Sequence, residues 1–180
     1  MFKKIVVGVL VVLMGFFGVI ILQPSAVHIE RTLAMAAPAS DVFAQVNDFH
    51  KWNAWSPWDK MDPKMTRTFS GADAGEGAKY AWVGDPNNVG EGSMTILESK
   101  PNEKIHIKLD FVKPMAATND VHFTFEPEGD GTKVTWTMDG KNNFFCKAMC
   151  LFMDMDKMVG GEFEKGLADI KKVVAADAKK

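Results

Sequence analysis

The chain has 180 residues, of which 47% are hydrophobic and 24% charged, and it carries a formal charge of −2 at pH 7. That balance excludes a disordered polyelectrolyte, and an acidic total without basic clusters excludes a nucleic-acid binder, which depends on massed Lys and Arg. The length accommodates one domain of ordinary size and an appendage.

The appendage comes first. Ile5 to Leu22 is eighteen residues without a charge, amide or hydroxyl. As a helix at ~1.5 Å per residue it spans roughly 27 Å, close to the ~30 Å hydrocarbon thickness of a bilayer. The expectation is a single-pass membrane helix over residues 5–22, with residues 1–24 as anchor and 25–176 as the folded domain. A cleaved secretory signal is the rival reading. Its apolar region usually runs only ~7–15 residues before a small-x-small site. Here Pro24 occupies the first small position for a cut after Ala26. Lys3 and Lys4 precede the apolar run and no basic residue follows until Arg31. By the positive-inside rule the N-terminus stays cytoplasmic and the domain is exported, in a bacterium to the periplasmic face of the inner membrane.

After Pro24, AVHIERTLAMA alternates as a strand does, and PASDVFAQVNDF opens with helix-start residues before Val42, Phe43 and Val46 fall on one stripe. FHKWNAWSPWDKMDP follows, placing Trp52, Trp55 and Trp58 on a stretch that Pro57 and Pro63 keep from being a long helix. Large aromatics on a loop either plug a core from its rim or line an entrance for apolar molecules. From Lys64 to Lys141 the period becomes two, in the runs MTRTFSG, AKYAWVG, GSMTILES, EKIHIKLDFV, NDVHFTFEP and TKVTWTMDG, separated by turn clusters. This predicts six strands of an antiparallel meander. From Asn142 the period is helical again. Phe145, Met149, Phe152, Met155, Val159, Phe163, Leu167, Ile170 and Val174 give one continuous apolar face, with Gly160 and Gly161 as the place to bend.

The glycine pairs in GEGAKY and GEGSMT lack the third glycine of a dinucleotide loop and open strands, so they read as hairpin turns. Cys146 and Cys150 sit four apart, an awkward spacing for a disulfide, and a metal site would need two further ligands nearby; they read as small hydrophobes. No metal or cofactor is predicted.

The order strand, short helices, six-strand meander and long C-terminal helix, together with WNAWSPW, GEGAKYAWVG, GEGSMTI, GTKVTWTMDG and GGEFEKGLADIKK, resembles the polyketide cyclase/dehydrase-like branch of the START/Bet v 1-like (SRPBCC) superfamily over residues 28 to 174. The resemblance implies an α+β helix-grip fold: a curved sheet of about seven antiparallel strands wrapped around the C-terminal helix, with an apolar cavity between them.

Alternation then fixes the inward residues. Tyr80, Trp82, Met94, Ile107, Leu109, Phe123, Phe125 and Trp136 are expected to line the cavity. Met149 and Phe152 would face them from the helix, and Trp52, Trp55 and Trp58 would close the end with indole N–H groups turned to water or the turn. The opposite register carries His106, Asp110 and His122, which reads as an ordinary polar outer face. Only the Tyr80 hydroxyl and the Trp136 indole are polar handles inside, so no catalytic residue is assigned. The leading expectation is a membrane-anchored domain that binds a hydrophobic small molecule or lipid. A cyclase or dehydrase using Tyr80 as acid and an interaction module with a filled interior remain as alternatives.

Overall fold

The computed structural model describes residues 2–179. In chain order it contains α1 (Phe2–Leu22), β1 (Ala26–Met35), α2 (Ala39–Val46), a 3₁₀ turn (Phe49–Ala54), α3 (Pro57–Met61) and the strands β2 (Thr66–Gly71), β3 (Ala78–Val83), β4 (Glu91–Lys100), β5 (Lys104–Lys113), β6 (Ala117–Glu128) and β7 (Gly131–Lys141). The helices α4 (Phe144–Cys150) and α5 (Met155–Asp177) complete it. The strands form one antiparallel sheet in the order β1-β7-β6-β5-β4-β3-β2. Each meander strand pairs with its predecessor, and β1 joins β7 to complete the helix-grip arrangement.

Side-chain alternation decides which face of the sheet is covered. Ile105 and Ile107 of β5, Val121, Phe123 and Phe125 of β6, and Val134 and Trp136 of β7 are buried, against Phe163, Leu167, Ile170 and Val174 of α5 in one core. Leu97, 44% exposed, faces outward after the inward Ile96 as alternation requires, and the register of β4 then slips so that Glu98 stays on the outer side opposite His106.

The C-terminal region differs from the single helix expected of it. The apolar stripe runs on, but the helix breaks between Cys150 and Met155. Asn143 caps α4 by accepting from the Cys146 N–H at 2.9 Å, and Asp154 caps α5 by accepting from the Lys157 N–H at 3.1 Å. Asp154 is the start signal, and apolar periodicity is blind to it. The helix does not break at Gly160 and Gly161, since α5 continues through both. Gly160 instead admits the Arg31 guanidinium, which a Cβ would meet at 2.2 Å. Arg31 there pairs with Asp156 at 2.9 Å and Glu164 at 2.7 Å. Cys146 and Cys150 are free and half-buried.

Helix α1 is 21 residues long, apolar enough to cross a membrane, and almost entirely uncovered by the rest of the chain. Ile20 near its C-terminal end is the exception, 1% exposed where α1 meets α4.

Candidate functional site

The tryptophan stretch explains itself at α2. Trp52 and Trp55 are 3% and 0% exposed, and their indoles donate to the carbonyls of Val46 at 2.9 Å and Gln45 at 3.1 Å. The last carbonyls of a helix lack intrahelical partners, so these two side chains satisfy the end of α2 while filling the core. For Trp52 and Trp55 this corrects the expectation that the indoles turn to water or to the turn: both donate to the end of α2. Trp58 is half-buried and edges onto Trp136 and Phe163, at centroid distances of 5.9 and 6.1 Å.

Trp136 is the centre of the interior. Its ring lies parallel to Phe163 of α5, 4.1 Å away and within 6° of coplanar orientation. Phe123 tilts against it at 4.6 Å and Trp55 meets it edge-on at 5.8 Å. On the helix side Gly166 faces the same ring, and a Cβ there would stand 2.8 Å from it. Aromatic side chains therefore occupy the space between sheet and helix. Phe163 was recognised in the apolar stripe but not as a site residue, because a periodic pattern does not say which member meets the central ring.

Two polar atoms in this interior have no protein partner among the described residues: the Tyr80 hydroxyl and the Trp136 indole nitrogen. Beside Tyr80 lies a charged pair that the sequence reading did not single out as functional. Asp59, 6% exposed, accepts from Arg67 Nε at 2.7 Å. Arg67 shares a register with Met65 and Phe69, and that inward position was the available signal. Burial pushes the Tyr80 phenol well above its ordinary range, the Asp59 carboxylate pushes the same way, and Arg67 opposes them. Tyr80 is thus held protonated as a donor and is a poorer acid than a free phenol.

Trp82, Met94, Ile107, Phe123 and Phe125 are buried where alternation puts them, and Trp82 donates to the Val89 carbonyl at 3.0 Å. Leu109 is only partly buried against the core. Met149 is half-buried on α4. Phe152 departs from the expectation: it lies in the turn between α4 and α5 and is 79% exposed, because the helix carrying it inward in the periodic reading has already ended. Two surface depressions of about 230 and 250 Å³ lie elsewhere. The first runs from Phe49 and His50 to Lys79, the second from Pro57 to Asp169, and none of the expected lining residues borders either.

On the outer face His106 Nε2 lies 2.7 Å from Asp120, and the His106 and His122 rings stack at 4.3 Å. Burial, then the charges of His106 and Lys104, lower the His122 pKa. His122 is therefore less solvated than a plain outer-face reading implies. Among the described residues no group of three or more His, Cys, Asp or Glu converges as a metal site.

A family model described as polyketide cyclase / dehydrase and lipid transport matches residues 26–175. Comparison with curated proteins finds no match. Among solved structures, the di-domain ARO/CYC StfQ from the steffimycin biosynthetic pathway aligns with a TM-score of 0.62 at 12% identity, covering 87% of this chain and 53% of StfQ. Protein CV1439 from Chromobacterium violaceum gives 0.58 at 15% identity, over 84% of this chain and 98% of that one. The Aha1 dimer from Colwellia psychrerythraea gives 0.58 at 14%, over 82% and 96%. At these identities the structures establish the shared fold alone. With the family model spanning the whole sheet and nearly all of α5, the chain belongs to the polyketide cyclase/dehydrase and lipid transport family, whose fold supports a hydrophobic ligand-binding domain.

Proposed function

We propose that this protein is a membrane-tethered domain that binds a hydrophobic small molecule or lipid between its sheet and α5, without turnover. Residues 1–24 form the tether and residues 25–176 the binding domain. The N-terminus lies in the cytoplasm and the domain on the periplasmic face of the inner membrane, in keeping with Lys3 and Lys4 in the first turn of α1, ahead of its uncharged run. The lining is Trp52, Trp55, Trp58, Tyr80, Trp82, Met94, Ile107, Leu109, Phe123, Phe125 and Trp136, with Met149 at its edge; Phe152 is left to the surface.

The observation carrying this reading is the pair of buried donors without a hydrogen-bond partner in a largely aromatic interior, the Trp136 indole and the Tyr80 hydroxyl, the latter within the influence of the Asp59–Arg67 pair. An unsatisfied buried donor costs about 1–3 kcal/mol. A ligand with an apolar body and an oxygen acceptor offsets that cost while its body displaces aromatic contacts, so a fatty acid or isoprenoid alcohol has the right chemistry. The enzyme alternative is weaker, since burial makes Tyr80 a poorer acid at the position where a cyclase would need a proton donor. The filled-interior interaction module keeps one observation in its favour, the close parallel stack of Trp136 on Phe163.

Native mass spectrometry of the full chain, purified from its membrane and released from detergent micelles, separates these readings. A lipid-sized adduct is expected on the wild type, with lower occupancy in Tyr80→Phe, which keeps the ring and removes the donor. A wild type without any adduct, and without response to added fatty acids or isoprenoid alcohols, overturns ligand binding in favour of the filled module.

A further inference from the structure

The segment from Phe144 to Met153 exposes more apolar side chain than a water-facing surface of this size needs. Phe144, Phe145, Phe152 and Met153 are 48%, 58%, 79% and 37% exposed within one short helix and its following turn. Soluble monomers seldom leave such side chains grouped together in water. The elements packed beside them identify what covers them. Helix α4 packs on α1, where Phe144 stacks on Phe17 at 5.9 Å with rings 18° apart. Lys147 Nζ also donates to the Ile21 carbonyl at 3.4 Å, one of the carbonyls left open at the end of α1.

Depth follows from helix geometry. Phe17 precedes the last residue of α1, Leu22, by five positions, which at ~1.5 Å per residue places it roughly 7–8 Å inside the helix end. An α1 of 21 residues matches the hydrocarbon thickness with little to spare, so Phe17 lies below the membrane surface. A ring stacked on Phe17 shares its depth. Lys147, at the same junction, can carry its ammonium toward the headgroups along its own stem.

We infer that α4 and the turn after it are embedded in the leaflet on the domain's side of the membrane, forming a second, interfacial contact that holds the domain against the bilayer. This rests on α1 crossing the membrane. Phe144 and Phe145 enter the acyl region beside α1, and Phe152 and Met153 extend the contact from the turn. Asp154, which caps α5, marks where the chain returns to water.

The test uses the full chain in phosphatidylcholine vesicles, with Cys146 and Cys150 replaced by serine and one new cysteine at a time carrying an environment-sensitive dye. The sites are Phe152→Cys, Val12→Cys in the middle of α1, and Val83→Cys, an exposed position on β3. The expected result is blue-shifted emission and quenching by acyl-chain spin labels at 12 and 152, no such quenching at 83, and protection from aqueous iodide at 152. Deep quenching at 12 with none at 152 overturns the inference and leaves the anchor standing. Absence of lipid quenching at both sites overturns the anchor and the inference with it. Protection from iodide at 152 without lipid quenching also overturns it, by assigning that surface to a protein contact.

Discussion

Gly166→Ala reports on the packing of the interior through its sign. A glycine in the middle of a helix costs about 1 kcal/mol relative to alanine, so the substitution is stabilising wherever there is space. At Gly166 the new methyl would stand 2.8 Å from the Trp136 ring and 3.3 Å from Pro57. Trp136 cannot swing aside, because Phe163, Phe123, Trp55 and Trp58 hold it on separate sides. Overpacking of this kind costs about 1–3 kcal/mol, which exceeds the propensity gain. The expected net effect is a loss of about 1 kcal/mol, or a melting temperature lower by about 2–4 °C for a domain of this size. Urea titration of the full chain in detergent, followed by tryptophan fluorescence, measures it. Trp136→Phe shortens the ring, so the double variant should be less destabilised than the two single losses together predict. A Gly166→Ala protein as stable as the wild type would refute the tightly filled interior and show that the ring yields.

Further outcomes follow from the polar groups and from α5. Arg67→Met leaves Asp59 buried without its cation and should cost about 2–3 kcal/mol by urea titration, somewhat below the usual ~3–5 kcal/mol for a fully buried pair because the Arg67 side chain is 24% exposed; adding Asp59→Asn should recover part of the loss. His122 has a lowered pKa, so its neutral form contributes stability that is present above the unfolded value of 6.5 and lost as pH falls through the folded value. Melting temperature should therefore decline on acidification from pH 7 to 5, and His122→Gln should flatten the decline; His28, raised by Asp139, works in the opposite direction but is largely solvated. Hydrogen exchange should be faster at residues 156–162 than at 167–174, and equal protection of the two halves of α5 would contradict their unequal burial.

Much of the scaffold was legible because strand alternation is a local code. Ile105, Ile107, Val121, Phe123, Val134 and Trp136 each lie on the face that period two gives them, since one buried face fixes a whole strand. What the sequence hid depended on partners distant along the chain. The apolar stripe spans the α4–α5 break without interruption, so Phe152 read as inward when only the Asp154 cap showed that its helix had ended. Gly160 read as a bend because its reason, the approach of Arg31 from β1, lies more than a hundred residues away. The roles of Trp52 and Trp55 were half legible: their burial follows from size, whereas the carbonyls they satisfy belong to α2 and become visible only in three dimensions.

A filled interior and a ligand can be reconciled only if some part of the wall moves, and the two halves of α5 differ in what holds them. In the second half Leu167, Ile170 and Val174 are 1%, 0% and 3% exposed, so displacing it would return three aliphatic side chains to water at about 1.5–3 kcal/mol each. The first half contributes Phe163 to the core, and its other ties include Arg31 to Asp156 and Glu164, whose carboxylates are 56% and 64% exposed. Exposed ion pairs of that kind contribute about 0–1 kcal/mol. Lifting this half separates Phe163 from Trp136 and opens the interior where the unpartnered indole nitrogen is buried. The half of α5 that yields most easily is also the half that follows α4. A ligand entering there would come from the side on which α4 meets α1, and with α1 as the proposed tether that makes a bilayer lipid a more accessible ligand than a solute free in water.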